Sequence, residues 1–325
     1  MRILVGDVGG TNTRLALYDG PDEVVVQKVL NAGQSGLAAI ARAFVATHAT
    51  RYGRPQAACI GIAGPVRRGA VEMTNLGWRT DEVEMSAAIG ARCRLINDFH
   101  AQALAMPRLQ PDAYETIGGD ESRVEADAPR VVIGPGTGLG EAFLVRGPAG
   151  WLAVPGEGAH TRFAPRDERE IGLLRHLMTL FPRHVSVERV VSGPGLVTVY
   201  DYLRGDRPRL PAMAVEDPAA VITREALADG DPDCCATVDI FIGVLGDEAA
   251  SLALKCNAGV VYLTGGIPPR IAPLIRAGIR RAFDTKGRYS TWTKTVPIRL
   301  VKHRDPGLLG ARVMAESLGQ SAAGA

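Results

Sequence analysis

The sequence predicts an α/β protein of two domains with mixed β-sheets flanked by helices. Three observations support this prediction. Short apolar strands alternate with amphipathic helices along the chain. A glycine-rich turn between two apolar strands occurs twice, at positions 6–14 and 134–140. The chain has 325 residues, a length that favours two domains over one.

The first glycine turn lies between two apolar runs and reads GDVGGTNTR at positions 6–14. Its glycines permit positive φ and let a ligand approach the backbone, while Thr11 and Asn12 add donors. Outward-pointing amides form a nest for phosphate oxygens, and Asp7 supplies a carboxylate that can hold Mg²⁺ through water. The alternative is an ordinary glycine hairpin. The candidate phosphate-binding residues are Gly6, Asp7, Val8, Gly9, Gly10, Thr11 and Asn12.

The second turn repeats the pattern of the first. An apolar strand at 131–133, the turn GPGTGLG at 134–140 and a strand at 142–145 follow in the same order. Two such hairpins in one chain indicate two related halves that face each other across a cleft, so that a nucleotide's phosphates are held from both sides. Thr137 and Gly138 are the candidate phosphate-binding residues of this turn.

Hydrophobic periodicity places the remaining elements along the chain. The predicted strands are 24–30, 57–63, 93–96, 260–263 and 297–301. The predicted helices are 37–45, 99–106, 169–181, 186–191, 195–203, 231–257, one after Pro269, and 308–318. The polar segment 109–130 is predicted to be the crossing between the domains, and a loop is predicted around Gly156.

Asp98 is the candidate catalytic residue, because it lies where the strand 93–96 gives way to a helix. Such positions are favoured for ligand contact in open α/β sheets. A carboxylate there can accept the proton of an acceptor hydroxyl group during phosphoryl transfer. Asp98 can instead be the N-cap of the helix, and the two roles are compatible because a helix N-terminus stabilises an ionised carboxylate. Asn97 beside it can bond a neighbouring hydroxyl group.

A second polar set occurs in the sequence PGEGAH at 155–160, which places Glu157 and His160 three residues apart. A carboxylate accepts hydrogen bonds from two adjacent hydroxyl groups and an imidazole nitrogen binds a third, so the pair suits a polyol. The alternative is a surface loop with a solvated glutamate. Glu188 alone indicates an exposed helical turn. The pair Gly265–Gly266 is either a turn or a place where backbone approaches a nucleoside.

Composition argues against several classes of protein. The net charge is +2 with basic residues spread along the chain, which gives no sign of a nucleic-acid or anionic-membrane partner. No stretch reaches the roughly 18 apolar residues of a membrane span, and an acidic residue comes too early for a signal peptide. The five cysteines show neither C-x-x-C nor metal-ligand spacing. We therefore expect a cytoplasmic protein with reduced thiols.

These motifs together resemble those of the bacterial glucokinase family, which has the actin–hexokinase–Hsp70 type of fold. The resemblance covers nearly the whole chain. Besides the glycine turns and PGEGAH, it rests on MTN at 73–75, INDF at 96–99, ERVVSGPGLV at 188–197, GGI at 265–267 and DPGLLG at 305–310. The combination of 96–99, 155–160 and 188–197 in this order is its most specific part.

The resemblance implies an actin/hexokinase-like (ribonuclease H-like) fold with a cleft between a smaller domain, 1–108 plus 304–325, and a larger domain, 109–303. It implies ATP-dependent phosphorylation of the 6-hydroxyl group of glucose, with Asp98 as the base and Mg²⁺ near Asp7. Such enzymes work as cytoplasmic homodimers. The implied sugar-binding residues are Asn75, Asn97, Asp98, Glu157, His160 and Glu188, and the implied nucleotide-binding residues are Gly6 to Asn12, Thr137, Gly138, Gly265 and Gly266.

Position 159 departs from the family pattern, since Ala159 stands where the family usually carries Gly. If the turn there needs positive φ, alanine is strained by roughly 1 kcal/mol and the placement of His160 changes. The cysteine-rich zinc motif of the other bacterial sugar-kinase group, which includes repressors, is absent from the sequence. We therefore expect no structural metal.

Three other functions stay open on the sequence. A kinase for another hexose, such as mannose or glucosamine, differs from a glucose kinase by single positions. A sugar-sensing regulator is disfavoured, because no DNA-binding helix pair precedes the first strand and Asp98 is present. A chaperone-type ATPase lacks the glycine-flanked pair Glu157 and His160. The phosphoryl donor, ATP or polyphosphate, also stays open.

Overall fold

The computed structural model describes residues 1–73, 76–148 and 150–323. Its strands are β1 (Arg2–Val8), β2 (Asn12–Asp19), β3 (Asp22–Leu30), β4 (Ala57–Ile62), β5 (Ala70–Met73), β6 (Trp78–Asp81), β7 (Arg92–Asn97), β8 (Tyr114–Ile117), β9 (Arg130–Pro135), β10 (Leu139–Gly147), β11 (Gly150–Gly156), β12 (Val260–Leu263) and β13 (Ile298–Val301). Its helices are α1 (Leu37–Tyr52), α2 (Glu82–Ile89), α3 (Asp98–Ala105), α4 (Glu168–Leu180), α5 (Gly193–Arg204), α6 (Pro218–Leu227), α7 (Pro232–Cys256), α8 (Ala272–Phe283), α9 (Ser290–Thr293) and α10 (Pro306–Ala323).

Local sequence explains where the helices α2 to α7 begin. Each follows a residue whose side-chain oxygen accepts hydrogen bonds from backbone N–H groups of the first turn. These capping residues are Asp81, Asn97, Asp167, Ser192, Asp217 and Asp231. Proline occupies an early position in α5, α6 and α7, where its missing N–H group has no helical partner to lose.

The chain forms two compact units. The first comprises residues 1–109, 151–155 and 303–325, and the second comprises residues 110–150 and 156–302. Within the described ranges, no helix is both long and apolar enough to cross a membrane.

The first unit is built on a mixed sheet with the strand order β3-β2-β1-β4-β7. The strands β3, β2 and β1 are antiparallel, whereas β1, β4 and β7 are parallel. Alternate residues of β1 enter different cores, because successive side chains of a strand point to opposite faces. Leu4 belongs to the core that includes α1 and α2, and Ile3 and Val5 belong to the core that includes α3 and α10. Both faces of this sheet are therefore covered by helices.

The second unit contains a mixed sheet in which β10, β9, β12, β13 and β8 lie side by side in that order. The three inner strands β9, β12 and β13 are parallel, and β10 and β8 run antiparallel to them. The helix α7 belongs to the same core as β9, and it is buried over most of its length. The α/β class with mixed sheets, predicted from the sequence, is confirmed.

Two local predictions are wrong. The segment 186–191 is not an α-helix but a 3₁₀ turn at Val187–Arg189, and the backbone N–H of Val187 donates to the carbonyl oxygen of Thr161 at 3.0 Å. The predicted crossing 109–130 contains β8, which pairs with β13 at the edge of the second sheet. The predicted loop around Gly156 follows directly on β11, which ends at Gly156, and it contains a 3₁₀ turn at Gly158–His160.

Candidate active site

The first glycine turn is an open hairpin between β1 and β2. The backbone N–H of Gly9 donates to the carbonyl oxygen of Asn12 at 3.0 Å. Gly9, Gly10 and Thr11 are exposed, and a Cβ added at Gly10 would meet nothing within 4 Å. Neither Gly9 nor Gly10 has positive φ. The turn therefore does not depend on a backbone conformation that only glycine adopts readily. The missing side chains instead leave the backbone open to a ligand.

Two of the predicted phosphate-binding residues lie beneath this turn. Gly6 is buried, and a Cβ there would lie 2.8 Å from Leu15 Cδ2, so glycine is needed for packing between strands. Val8 is also buried in the core. Any contact of these two residues with a ligand would therefore have to come from their backbone, which pairs with β2 and β4.

Asn31, which the sequence pattern does not indicate, holds the turn in shape. Its amide nitrogen Nδ2 donates to the carbonyl oxygen of Gly9 at 2.8 Å, and its Oδ1 accepts a hydrogen bond from the Thr13 hydroxyl at 2.7 Å. Its backbone N–H donates to the carbonyl oxygen of Thr11 at 2.9 Å. Asn31 is only 3% exposed, so these bonds form without competition from water. No local sequence signal marks a residue 18 positions beyond Thr13.

Asp7 lies at the start of this hairpin beside the first turn of α10. The position of a Cβ added at Gly307 is 3.4 Å from the Asp7 carboxyl carbon. Burial raises the pKa of Asp7, the Arg14 guanidinium lowers it, and the Asp305 carboxylate raises it. Arg14 is itself paired with Asp305, with Nη2 and Oδ2 3.1 Å apart. A cation next to Asp7 would offset the cost of burying its charge.

The donor chemistry of Asp7 fits Mg²⁺. In the described ranges, no three His, Cys, Asp or Glu side chains gather into a cage that could hold a metal ion. Mg²⁺ does not require such a cage, because it is typically held by one or two carboxylates together with phosphate oxygens and water. A single carboxylate beside an open backbone turn is consistent with that arrangement.

Asp98 and Asn97 stand at the start of α3, and the structure corrects the predicted N-cap. The cap is Asn97, whose Oδ1 accepts from the backbone N–H groups of Phe99 at 2.9 Å and His100 at 3.0 Å. Its Nδ2 donates to the carbonyl oxygen of Gly64 at 3.1 Å. Asp98 is instead the first residue of the helix and is partly exposed. The helix N-terminus favours the ionised carboxylate that a general base requires.

The helix α3 is held tightly from two sides. A Cβ added at Gly61 in β4 would lie 3.4 Å from Ala101 Cβ and 3.7 Å from Asp98 Cα. A Cβ added at Gly310 in α10 would overlap the carbonyl oxygen of Ala101. These close approaches fix the backbone that carries Asp98.

The second glycine turn gathers several backbone segments of the second unit. The N–H of Gly136 donates to the carbonyl oxygen of Gly138 at 2.8 Å. The N–H of Gly193 donates to the carbonyl oxygen of Gly136, also at 2.8 Å. Gly265 has φ +88°, and a Cβ there would overlap the carbonyl oxygen of Pro135. A cavity of about 630 Å³ opens beside this turn. Its lining includes Thr137, Gly193, Asp217, Thr223, Gly266 and Arg270.

Glu157, His160 and Glu188 form one cluster in the second unit. His160 Nε2 lies 3.7 Å from Glu157 Oε2, and His160 Nδ1 lies 4.0 Å from Glu188 Oε1. Glu188 is not the solvated group of an exposed turn, because its Oε2 accepts the backbone N–H of Leu139 at 2.9 Å. The same oxygen lies 2.5 Å from where a Cβ of Gly138 would be. Glu188 therefore contacts both the glycine turn and His160.

The loop that carries this cluster is anchored by groups that the sequence did not indicate. His184 Nε2 donates to the carbonyl oxygen of His160 at 2.7 Å. Ala159 is 2% exposed and belongs to the core of the second unit. It is not among the described residues with positive φ, so the strain considered for alanine at this position does not arise. The remaining predicted sugar-binding residue, Asn75, lies outside the described residues.

Comparison with known proteins places the chain among sugar kinases. The family model described as Glucokinase matches residues 4–318. The chain is 39% identical over 324 residues to the glucokinase of Enterobacter sp. (strain 638), covering 98% of each chain. It is similar to the crystal structure of glucokinase from an Antarctic psychrotroph, with 31% identity, a TM-score of 0.83 and coverage of 97% and 99% of the two chains.

The fold is shared more widely. A ROK family glucokinase from Streptomyces griseus, solved in complex with glucose and AMPPNP, has 21% identity and a TM-score of 0.67 over 98% of this chain and 100% of its own. At that identity the likeness shows the fold alone.

Proposed function

This chain belongs to the glucokinase family, and from that membership we propose that it transfers the γ-phosphoryl group of ATP to the 6-hydroxyl group of glucose. One observation of the structure supports the proposal most. Glu188 contacts His160 with one carboxylate oxygen and the glycine turn at Gly138 and Leu139 with the other. A set of groups suited to sugar hydroxyls is thus joined directly to a turn suited to phosphate.

The proposed phosphate contacts come from backbone N–H groups of both glycine turns. In the first turn, Gly6 to Asn12, the backbone is open at Gly9, Gly10 and Thr11, and in the second turn, which holds Thr137 and Gly138, Thr137 is exposed. The cavity of about 630 Å³ next to Gly266 is large enough for a nucleoside. Asp7 would hold Mg²⁺ through water, and the ion would neutralise charge on the phosphates.

In the proposed reaction, the oxygen of the 6-hydroxyl group attacks the γ-phosphorus while Asp98 accepts the proton of that hydroxyl group. The bond between that phosphorus and the β,γ-bridging oxygen breaks, and ADP leaves with the electron pair. Glu157, His160 and Glu188 bind other sugar hydroxyls, and we propose the same for Asn97 and Asn75. These contacts orient the acceptor, which in phosphoryl transfer accounts for much of the catalysis.

The proposal is tested by measuring ADP formation from purified protein with Mg·ATP. The assay is run with glucose, mannose, fructose, glucosamine and no sugar, and repeated with polyphosphate as the donor. We expect the largest signal with glucose and a low signal without sugar. Turnover that no sugar stimulates would contradict the proposal. A higher turnover with mannose or glucosamine than with glucose would show that this other hexose is the substrate.

Glu157→Gln should raise the KM for glucose about tenfold and leave the KM for ATP nearly unchanged. The substitution removes the negative charge that accepts hydroxyl hydrogen bonds, and a bond to a charged acceptor contributes about 1.4 kcal/mol, or tenfold in affinity. Steady-state kinetics with each substrate varied in turn measures the effect. The control is Glu125→Gln, at an exposed position outside the site. An unchanged glucose KM would show that Glu157 is a solvated surface group that does not bind the sugar.

We also propose that the enzyme is a cytoplasmic homodimer, as the resemblance to its family implies. Its mass in solution would then be twice the 34.4 kDa of one chain.

A further inference from the structure

Glu141 is a buried carboxyl group that the proposed reaction does not use. It lies on β10, is 1% exposed, and neither of its side-chain oxygens has a hydrogen-bond partner in the part of the chain that the structure describes. Buried carboxyl groups are normally paired or hydrogen-bonded, because leaving them unsatisfied is costly. An orphaned carboxyl group at such depth calls for a physical explanation.

The carboxyl group of Glu141 lies directly beneath the loop 156–160. A Cβ added at Gly158 would overlap Glu141 Oε2, so the backbone of Gly158 rests on the carboxyl group itself. The backbone oxygen of Glu141 also lies 3.8 Å from where a Cβ of Gly156 would be. Gly158 stands between Glu157 and His160 in the proposed sugar-binding cluster. Any movement of Glu141 therefore acts on the backbone that carries both residues.

The charges around Glu141 come mainly from α7. Glu248 is 8% exposed, and its Oε1 lies 3.8 Å from Lys255 Nζ. On the loop side the titratable groups are Glu157 and His160, both largely exposed. Opposite Glu141 on β9 lies Ile133, which carries no charge. Among the described residues, no basic group is hydrogen-bonded to the side chain of Glu141.

The protonation state of Glu141 follows from these surroundings. Burial and, to a lesser extent, the nearby Glu248 carboxylate raise the pKa of Glu141 to about 8, against the opposing effect of the Lys255 ammonium. Burial also raises the pKa of Glu248. Glu141 is therefore protonated at neutral pH, a state that avoids an unpaired buried charge.

We propose that Glu141 is a positioning residue for the sugar-binding loop and that it supports the loop only while its carboxyl group is protonated. A neutral carboxyl group can fill the space under Gly158 at a far smaller desolvation cost than an ionised one. An ionised carboxylate there has no donor to satisfy it, so it must draw in water or turn away from the loop. Either change displaces Glu157 and His160. This inference rests on the proposed sugar site.

The test is the affinity for glucose as a function of pH, from pH 6.5 to 9.5, measured by calorimetry as well as by KM. We expect glucose affinity to fall several-fold as the pH rises through about 8, with no matching change in the KM for ATP. Glu141→Gln keeps the shape of the protonated side chain and cannot ionise. This variant should retain the low-pH affinity throughout, whereas Glu125→Gln should behave like the wild-type protein.

A second variant tests the same inference with Glu141 in place. Lys255→Gln removes the cation that favours ionisation, so the fall in glucose affinity should move to higher pH. An unchanged pH profile in both Glu141→Gln and Lys255→Gln would overturn the inference. Because calorimetry needs no turnover, glucose binding that loses its pH dependence in Glu141→Gln would support the inference even if no hexose were phosphorylated. The absence of hexose phosphorylation would count against the proposed function alone.

Discussion

Asp98→Asn is expected to lower kcat at least about a hundredfold while glucose binding is retained. General-base assistance typically contributes a factor of 10² to 10⁴, and asparagine cannot accept the proton at neutral pH. The fold should tolerate the change, because Asn97 and not Asp98 caps the helix α3. Asparagine also keeps nearly the same volume and one oxygen acceptor for the N–H of Phe99, which now bonds Asp98 Oδ1 at 2.9 Å.

The measurement pairs steady-state kcat with glucose binding by calorimetry. Glu168→Gln is a matched control, since Glu168 is also the first acidic residue of a helix that follows a side-chain cap. It should leave kcat unchanged. Activity of Asp98→Asn within a few-fold of the wild-type value would remove Asp98 as the base.

Gly310→Ala is expected to destabilise the first unit by about 2–3 kcal/mol, the upper part of the range of about 1–3 kcal/mol seen when a well-packed site is overfilled. The added Cβ would overlap the carbonyl oxygen of Ala101, and backbone cannot turn aside as a flexible side chain can. α10 and α3 must then separate, although both belong to the core that covers one face of the first sheet. Thermal unfolding should show a fall in Tm of roughly 5–10 °C.

Gly172→Ala provides the matched control for this prediction. It is also a glycine within a helix, but a Cβ there would meet only the hydroxyl end of the Tyr202 side chain, which can give way by a small shift of that side chain. Alanine also has a higher helix propensity than glycine, so its Tm should stay level or rise. Equal Tm values for the two variants would show that the close approach of α10 to α3 is unimportant.

The elements that the sequence predicted well are those with a strong local pattern. Both glycine hairpins and the strand leading to Asp98 are short apolar runs next to turns, and each forms a strand in the structure. The long apolar segment of α7 also begins and ends close to its predicted bounds. Here the local pattern and the packing agree.

The elements that the sequence missed depend on distant partners. β8 lies in a polar segment and becomes a strand by pairing with β13, about 180 residues later in the chain. The segment after Ser186 was predicted as a helix, but its backbone is bonded to Thr161. Such long-range pairing leaves no periodicity in the local sequence.

The same limit applies to the site. The sequence indicates Asp98, Glu157 and His160 because each is a chemically suitable residue near glycines or at a strand end. It does not indicate Asn31 and Glu141, because their importance comes from the backbone of Gly9 and Gly158, which tertiary packing brings to them. A polar residue inside an apolar strand, as at Glu141, is the one signal that could have identified such a group.

The most direct measurement is a crystal structure of the protein with glucose and a non-hydrolysable ATP analogue bound. We predict that an Asp98 carboxylate oxygen lies about 2.6–3.2 Å from the glucose 6-hydroxyl oxygen. Glu157, His160 and Glu188 should contact the other hydroxyl groups. Glucose bound with its 6-hydroxyl group against a residue other than Asp98, or away from the cluster of Glu157, His160 and Glu188, would contradict the proposed mechanism.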